Sequence, residues 1–366
     1  MKVLVVGASG LVGHAAVRAF AAVPGWEVHG WSRRTPRPVP GAEFLAVDLD
    51  DADACANAVA GITDVTHVVY AAVVERAGLV DGWFDDELIR RNTAMLRNLF
   101  EPLLRSATSL RHVSLLQGTK AYGVHHPTLR RDRVRLPLRE RDPRIDHPNF
   151  YFAQEDYLRD RQRTDDWELT ILRPTVVYGD TAGVNMNPLL PLAVYAALLR
   201  DQGRDLDFPG DGDLSALHEA VDADLVGRAL VWAATSASAA GCTFNVTNGD
   251  VFSWGGVWPA IADALGMAAG ERRPVTLAAE LPRRAVRWRE LVAEHGLRSS
   301  TDVVELLGVN SIVYADMMLG TGPPGPPLLN STIAIRQAGF AECLDTEDMF
   351  VTLLRRLAAD RLIPPP

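Results

Sequence analysis

A glycine-rich turn between a short apolar strand and a helix is the feature that most constrains the fold of this chain. Residues Lys2–Val6 are rich in Val and Leu, which predicts a strand, and Leu11–Ala22 has helical spacing. Between them Gly7, Gly10 and Gly13 form a G-x-x-G-x-x-G pattern, a variant of the dinucleotide fingerprint. The first glycine allows a sharp turn, the second lets a pyrophosphate approach N–H groups at the helix N-terminus, and the third allows close helix–strand packing. The pattern predicts a dinucleotide site in the first strand–helix unit.

Apolar segments and helical patterns alternate along the first half of the chain. Strands that alternate with helices are joined by right-handed crossovers into a parallel sheet with helices on both faces. The predicted fold class is therefore α/β, a Rossmann-type doubly wound parallel sheet with a smaller C-terminal substrate-binding lobe. Further strands are predicted at Glu27–Trp31, Glu43–Val47, Thr66–Ala72, Leu110–Leu116 and Glu168–Leu172, and further helices at Ala52–Val59, Asp85–Ser106 and Tyr151–Arg161.

The alternation weakens after Pro174, and this change predicts the domain organisation. Residues 1–180 are expected to form the NADP-binding domain, with residues 203–240 returning to it. Residues 181–202 and 241–366 are expected to form mainly the substrate-binding lobe, over the sheet edge where ligands of open α/β sheets bind. Elements in this half are predicted at Pro188–Leu199, Asp222–Thr235, Thr243–Val246, Trp258–Leu265 and Trp288–Glu294.

Composition argues against several classes of protein. The 366 residues include no apolar run near the roughly 18 residues that a membrane-spanning helix needs, and no signal peptide is predicted. A net charge of −9 argues against nucleic-acid binding, and the charged segment 130–147 mixes both signs as solvated loops do. The distant cysteines Cys55, Cys242 and Cys343, and histidines of which only His125-His126 are adjacent, predict no metal site and a reducing cytoplasm.

The end of the second predicted strand favours NADPH over NADH. NAD-binding folds usually place an acidic residue there, about 20 residues past the glycines, to hold the ribose 2′-hydroxyl. This chain has Ser32–Arg34 instead, and the two guanidiniums can hold a 2′-phosphate through charge-assisted hydrogen bonds. Asp48-Leu49 is placed to flank the adenine, and Ala71-Ala72 would let the backbone approach the nicotinamide half.

The catalytic pattern that usually accompanies such an opening is missing. Many dehydrogenases carry Tyr-x-x-x-Lys on a later helix, where the lysine lies one turn after the tyrosine. Here Tyr151 is followed four residues later by Glu155, and no such pair exists in the sequence. The usual serine after the fifth strand is replaced by Gly118, and Lys120 follows two residues on. Lys120 and Lys2 are the only lysines of an arginine-rich chain, so an interior lysine is a candidate for a role that needs a compact amine.

Several sequence motifs occur together in this chain. They are Gly118-Thr119-Lys120-x-Tyr122, Asn149-Phe150-Tyr151-Phe152-x-x-Glu155-Asp156, Arg173-Pro174, Tyr178-Gly179, Phe208-Pro209-Gly210, Asp222–Leu225 and Phe244–Trp254. With them the chain resembles the progesterone 5β-reductase/iridoid synthase-like enzymes, an atypical branch of the extended short-chain dehydrogenases/reductases, over nearly its whole length. That family commonly has Phe-Tyr-Tyr where this chain has Phe150-Tyr151-Phe152, so the resemblance assigns the catalytic phenol to Tyr151.

The resemblance implies NADPH-dependent 1,4-reduction of an activated C=C bond. Hydride would reach the β-carbon of an enone or enal, and Tyr151 would donate a hydrogen bond to the developing enolate oxygen. Lys120 would orient the cofactor and the phenol and favour the phenolate by its positive charge. The cofactor-binding residues for NADPH/NADP+ are expected to be Gly7, Ser9, Gly10, Leu11, Val12, Gly13, Ser32, Arg33, Arg34, Asp48, Leu49, Ala71, Ala72, Gln117, Lys120, Tyr151, Pro174, Val176 and Val177.

The expected partner is a small hydrophobic enone or enal. Its contacts are predicted at Tyr122, Phe152 and Met186, and in the segments Val184–Pro191 and Val313–Leu319. Related folds often dimerise through the two helices that flank the fifth strand, which suggests a homodimer by analogy. An asparagine in the long third helix, Asn92, would either hold a water or a carbonyl near the nicotinamide or lie on the surface.

Two other functions stay open at this point. The first is an NADP-dependent carbonyl reductase or nucleotide-sugar epimerase of the ordinary extended type, against which the missing Tyr-x-x-x-Lys pair argues. The second is a non-catalytic NADP-sensing regulator, against which the retention of Tyr151 and Lys120 argues. Turnover of an enone, turnover of a saturated ketone, or cofactor binding without turnover would distinguish the three.

Overall fold

The computed structural model describes residues 1–76, 83, 85–125, 135–321 and 328–366. Short strands of two to seven residues occur along most of this length. The strands are β1 (Lys2–Val6), β2 (Glu27–Ser32), β3 (Ala42–Ala46), β4 (His67–Tyr70), β5 (His112–Leu116), β6 (Glu168–Pro174), β7 (Val177–Tyr178), β8 (Leu206–Phe208), β9 (Leu217–His218), β10 (Val221–Asp222), β11 (Thr243–Val246), β12 (Phe252–Ser253) and β13 (Ala269–Arg272).

Within the described ranges, seven of these strands form one parallel sheet in the order β11-β6-β5-β4-β1-β2-β3. The chain runs outward from β1 to β3 and then returns to the other side of β1 with β4. At the carboxyl end of β1, Val6 pairs with Trp31 on one side and Tyr70 on the other. The order of strands therefore reverses between β1 and β4, which is the point where doubly wound sheets bind their ligands.

Helices cover both faces of this sheet. On one face α1 packs against α6 and buries Phe20 and Leu230. On the other face α3 packs between α2 and α4 and buries Leu96 and Phe100. This arrangement confirms the predicted fold class. The helices are α1 (Leu11–Ala21), α2 (Ala52–Ala60), α3 (Asp86–Ser106), α4 (Phe150–Gln162), α5 (Leu189–Asp201), α6 (Ala223–Thr235), α7 (Trp254–Ala264), α8 (Leu277–Arg283), α9 (Ala285–Glu294), α10 (Val303–Leu307), α11 (Val309–Met318), α12 (Ile333–Gln337) and α13 (Thr346–Ala359).

A separate hydrophobic core lies in the C-terminal lobe. Side chains of α5, of α7 to α11 and of α13 meet there, and Trp254, Trp258 and Trp288 are buried among them. Short pairings of β13 with β8 and of β12 with β9 support this core. The lobe brings Met186 and residues of α11 next to the carboxyl edge of the central sheet.

The structure differs from the predicted organisation at several places. Thr243–Val246, expected in the lobe, pairs with β6 as the outermost strand of the central sheet. The helix predicted at Trp258 begins at Trp254, because the side chain of Ser253 caps it by accepting a hydrogen bond from Gly256 N. Of residues 203–240, which are predicted to return to the first domain, α6 packs on α1, whereas Leu206 and Phe208 of β8 lie in the hydrophobic core of the lobe. A division into a cofactor domain and a substrate lobe stays a prediction.

Some predicted features lie outside the described residues, namely His126 and positions 130–134 of the charged segment. In the part of the chain that the structure describes, no three or more His, Cys, Asp or Glu side chains are grouped so that they could hold a metal ion. None of the described helices combines the length and apolar character that crossing a bilayer requires.

Candidate active site

A cavity of about 420 Å³ lies at the carboxyl edge of the central sheet. Its walls come from the β1–α1 turn, the ends of β2, β4, β5 and β6, the start of α4 and the lobe. The fold thus brings residues far apart in sequence to one space. The predicted residues that line it are Gly7, Ser9, Gly10, Leu11, Val12, Ser32, Arg33, Arg34, Leu49, Ala71, Ala72, Gln117, Lys120, Tyr151, Pro174, Val176, Val177 and Met186.

The glycine turn forms a cradle with no room for side chains. Gly7 has a φ of 89°, and a Cβ there would lie 2.7 Å from backbone atoms of Ala71 and Ala72. Gly13 does not line the cavity; a Cβ at this position would overlap the carbonyl oxygen of Gly7, so this glycine allows α1 to pack on β1. Gly10 is the N-cap of α1 and has no side chain to cap the helix. The uncapped helix N-terminus beside this cradle fits the pyrophosphate of a dinucleotide.

The arginines after β2 lie at one end of the cavity. Arg33 and Arg34 are exposed, and both line the cavity. Arg34 Nη2 also donates a hydrogen bond of 2.8 Å to the backbone oxygen of Gly183, which lies in the predicted lobe. Asp48, predicted to flank the adenine, does not line the cavity; its carboxylate accepts a hydrogen bond from the turn that follows it, and Leu49 is the lining residue. The end of β2 therefore presents two guanidinium groups at this end of the cavity.

Gln117 is held by a polar network behind the cavity. Its Nε2 donates to the backbone oxygen of Tyr151 at 3.2 Å and to Glu155 Oε2 at 3.1 Å. Its Oε1 accepts a hydrogen bond of 2.8 Å from Arg173 Nε. The side chain of Gln117 therefore joins the ends of β5 and β6 to the first turn of α4.

The two predicted catalytic residues are joined by one asparagine. Asn149 caps α4 by accepting a hydrogen bond of 2.9 Å from Tyr151 N, and its Nδ2 donates to the carbonyl oxygen of Lys120 at 3.1 Å. Lys120 lies in a 3₁₀ turn over Thr119–Tyr122, directly after Gly118. A side chain at Gly118 would begin 3.4 Å from Tyr151 Oη, so the hydroxyl lies where the usual serine would point.

The phenol of Tyr151 is in its neutral form. Burial raises the pKa of Tyr151 well above its usual value, and the negative charge of Glu75 adds to this effect. Burial likewise raises the pKa of Tyr314, which lines the same cavity. The expectation that Lys120 favours the phenolate does not match these surroundings. A neutral phenol is a hydrogen-bond donor, which is the form that an oxyanion needs.

The ammonium group of Lys120 makes three contacts on the cavity wall. Its Nζ lies 3.8 Å from the centre of a ring of Trp83, 3.4 Å from Met186 Sδ and 3.7 Å from Glu75 Oε1. Burial lowers the pKa of Lys120 to about 8, and the carboxylate of Glu75 opposes this shift. Two of these partners are apolar or weakly polar, so Glu75 is the group that compensates the charge. Burial raises the pKa of Glu75 in turn, and the Lys120 ammonium opposes that rise, so each charge of the pair depends on the other.

Glu75 is a site residue that the sequence interpretation missed. The sequence did contain one signal for it: a carboxylate directly follows the apolar run that continues from the fourth strand. Hydrogen bonds fix the backbone on both sides of it. The buried Asn92 accepts from Val74 N and donates to Val74 O, each at 2.9 Å, and Asn310 Nδ2 donates to Arg76 O at 2.9 Å. The surface alternative for Asn92 is therefore wrong.

Two predicted substrate contacts point elsewhere. Tyr122 does not line the cavity, because its hydroxyl donates a hydrogen bond of 2.7 Å to the buried Asn245 Oδ1. Phe152 does not line it either. It is one residue after Tyr151 on α4, so it points about 100° away and packs against Arg144 and His147.

Apolar side chains of the lobe close the other side of the cavity. Met186 has a φ of 59°, and the buried Asn187 next to it donates hydrogen bonds to the backbone oxygens of Gly179 and Thr181. From the two predicted segments, the residues that line the cavity are Val184, Asn185, Met186, Tyr314, Met317 and Met318. Lining residues that were not predicted include Trp83, Val124, His125 and Leu328, whose positions carry no local sequence signal.

Comparison with known proteins gives a family match over most of the chain. The model of the NAD dependent epimerase/dehydratase family matches residues 3–247. The chain is 30% identical to (S)-8-oxocitronellyl enol synthase of Camptotheca acuminata, over 99% of this chain and 93% of that protein. It is 29% identical to 3-oxo-Delta(4,5)-steroid 5-beta-reductase of Arabidopsis thaliana, over 99% of this chain and 92% of that protein.

Solved structures share the fold at lower sequence identity. UDP-glucose 4-epimerase from Bifidobacterium longum, in complex with NAD+ and UDP, superposes with a TM-score of 0.65 at 16% identity, over 98% of this chain and 99% of that one. A short-chain dehydrogenase/reductase superfamily protein from Agrobacterium tumefaciens with bound NAD superposes with a TM-score of 0.64 at 18% identity, over 99% of this chain and 98% of that one. At this identity the likeness concerns the fold alone.

Proposed function

The chain belongs to the NAD dependent epimerase/dehydratase family and, within it, to the progesterone 5β-reductase/iridoid synthase-like branch, and we propose that it is an NADPH-dependent reductase of activated C=C bonds. As a member of that branch it is an NAD(P)-dependent oxidoreductase. One observation supports the more specific activity above all. The neutral Tyr151 hydroxyl lies beside Gly118, without the usual serine, in a cavity that also holds the Lys120 ammonium.

The substrate class is a small hydrophobic enone or enal. The bound nicotinamide would supply hydride to the β-carbon. Tyr151 donates a hydrogen bond to the carbonyl oxygen as negative charge develops there, and the Lys120 ammonium adds a positive charge on the same cavity wall. The wall of Trp83, Met186 and Tyr314 binds the apolar part of the substrate and excludes water. The α-proton comes from solvent after the enolate has formed.

Deuterium transfer tests this activity directly. With C4-deuterated NADPH and cyclohexenone, we expect deuterium at the β-carbon of the saturated ketone, because the oxygen is held while the β-carbon receives the hydride. NMR and mass spectrometry of the product locate the label. Parallel reactions with cyclohexanone and without substrate are the controls. Deuterium on the carbinol carbon of an allylic alcohol would show carbonyl reduction instead, and NADPH binding without any turnover would indicate a sensor.

We also propose that the cofactor is NADPH. Replacing Arg33 and Arg34 together with Ala should weaken NADPH binding by about 2–4 kcal/mol, the scale of charged hydrogen bonds lost. That corresponds to roughly 30- to 700-fold in Kd. NADH binding should change little, since NADH has no 2′-phosphate. Isothermal titration with both cofactors measures the two affinities.

A matched pair controls for the loss of charge. Arg272, the last residue of β13, and Arg273 directly after it are also adjacent and exposed. Their double Ala variant should bind NADPH like the unmodified chain. Equal losses for NADPH and NADH in the Arg33/Arg34 variant would refute the assignment. A homodimer and a cytoplasmic location stay predictions.

A further inference from the structure

Glu75 and Lys120 form an ion pair inside the cavity wall. The Lys120 Nζ and Glu75 Oε1 atoms are 3.7 Å apart, and the two side chains are 15% and 5% exposed. Exposed ion pairs contribute little, but a charge in an apolar wall depends strongly on its partner, because water no longer solvates it. This pair therefore differs from the exposed pairs on the surface of the protein.

The position of the Glu75 carboxylate is built into the fold. The amide of Asn92 binds both backbone groups of Val74, and Asn310 from α11 binds the backbone oxygen of Arg76. The residues on either side of Glu75 are therefore attached to α3 and to the lobe. This arrangement holds the carboxylate toward the cavity instead of leaving it in a mobile loop.

The surroundings of the pair leave Glu75 as the group that balances the Lys120 charge. Trp83 contacts both catalytic candidates: its ring lies under the Lys120 ammonium, and its centre is 5.1 Å from that of Tyr151. The other titratable groups that face the pair are the phenols of Tyr151 and Tyr314, both neutral, and the His125 ring, which meets the Trp83 ring edge to face. The positive charge of Arg173 opposes the rise in the pKa of Tyr151 and has the same sign as the Lys120 charge, so it does not balance that charge.

On the basis of the proposed function, we propose that Glu75 is a positioning residue whose carboxylate keeps the Lys120 amine charged and fixed on the cavity wall. Without Glu75, desolvation by Trp83 and Met186 favours the neutral amine. A neutral amine would no longer stabilise the negative charge that develops on the substrate oxygen. The reaction rate of a variant without the Glu75 carboxylate would then depend on pH in a range where the rate of the unmodified chain does not.

The chain allows a direct measurement, because Lys2 and Lys120 are its only lysines. Full-length protein labelled with ¹³C-lysine gives two lysine Cε signals, and Lys2→Arg assigns them. In the unmodified chain we expect the Lys120 signal to titrate near pH 8. In Glu75→Gln its midpoint should fall by about 1–2 pH units, the usual effect of an opposite charge at this distance. Glu75→Asp keeps a carboxylate on a shorter side chain, so its Lys120 midpoint should lie between those of the unmodified chain and Glu75→Gln.

Another lysine–glutamate pair provides the control. Lys2 pairs with the exposed Glu27 at 3.0 Å, so Glu27→Gln removes a similar partner outside the cavity and should leave the Lys120 midpoint unchanged. An unchanged Lys120 midpoint in a folded Glu75→Gln protein overturns the proposal. If that variant does not fold, Glu75→Ala removes the same carboxylate, and an unchanged Lys120 midpoint in Glu75→Ala overturns the proposal equally.

The pH profile of kcat connects the pair to the reaction. Because the charged amine is the active form, the alkaline limb of the kcat profile in Glu75→Gln should move to lower pH together with the NMR midpoint. Activity should approach that of the unmodified chain at about pH 5 and be lost by about pH 8. A uniform loss at every pH would contradict the proposal. If the unmodified chain reduces no enone, the proposed function fails, whereas the NMR titration still tests the coupling of Glu75 to Lys120.

Discussion

Replacing Tyr151 with Phe lowers the kcat of enone reduction by about 10²–10³-fold, if the phenol acts as one donor of an oxyanion site. The ring and its contact with Trp83 remain, so substrate binding and the fold should change little. The loss is confined to kcat because the hydrogen bond strengthens as charge moves onto the oxygen. Steady-state kinetics with cyclohexenone and saturating NADPH measure it.

Tyr157 on the same helix is a matched control. Its hydroxyl donates to Glu101 Oε1 of α3 at 2.9 Å, and Tyr157 does not line the cavity. Tyr157→Phe should therefore retain near-full kcat. Near-full activity in Tyr151→Phe, together with its loss in Tyr122→Phe or Tyr178→Phe, would show that the donor has been assigned to the wrong tyrosine.

Replacing Gly13 with Ala destabilises the protein by more than about 3 kcal/mol, because the new methyl group overlaps the carbonyl oxygen of Gly7. Helix α1 must shift away from β1, which also disturbs the cradle for the pyrophosphate. We expect a Tm lowered by roughly 5–10 °C and a loss of NADPH affinity. Calorimetry and cofactor titration measure the two effects.

Gly61 shows what the same substitution does where space exists. It follows α2 with a φ of −83°, and a Cβ there would meet its nearest neighbour, Ala58 O, at 3.4 Å. Gly61→Ala should leave the Tm and the cofactor affinity almost unchanged. A Gly13→Ala protein as stable as Gly61→Ala would mean that α1 can move from β1 without cost.

The joint placement of the catalytic candidates depends on residues that bind backbone. Asn149 joins the start of α4 to the Lys120 turn, and Gln117 joins the end of β5 to the same helix. These amides hold Tyr151 and Lys120 at one cavity although 31 positions separate them along the sequence. Rigid supports of this kind keep a donor within the narrow range of distance that catalysis requires.

Local sequence patterns were sufficient for much of this protein. Strand β1, the glycine turn and α1 follow one another within the first residues, so composition and spacing specify them without reference to the rest of the chain. The cationic end of β2 was equally predictable, because Arg33 and Arg34 directly follow the strand that leads to the cavity. The motifs around Gly118 and Tyr151 identified the family for the same reason: each is a short continuous segment.

The tertiary structure alone determined which side chains face one another across those segments. Glu75 meets Lys120, and Tyr122 meets Asn245 instead of the cavity, across 45 and 123 positions of the chain. β11 joins the sheet because β6, which pairs with β5 on one side, has its other edge free to pair with β11. The strength of a charge or hydrogen bond depends on its distance from a partner and on the exclusion of water. Both conditions arise only when distant segments pack together, so no local pattern encodes the charge state of Lys120 or the neutral phenol of Tyr151.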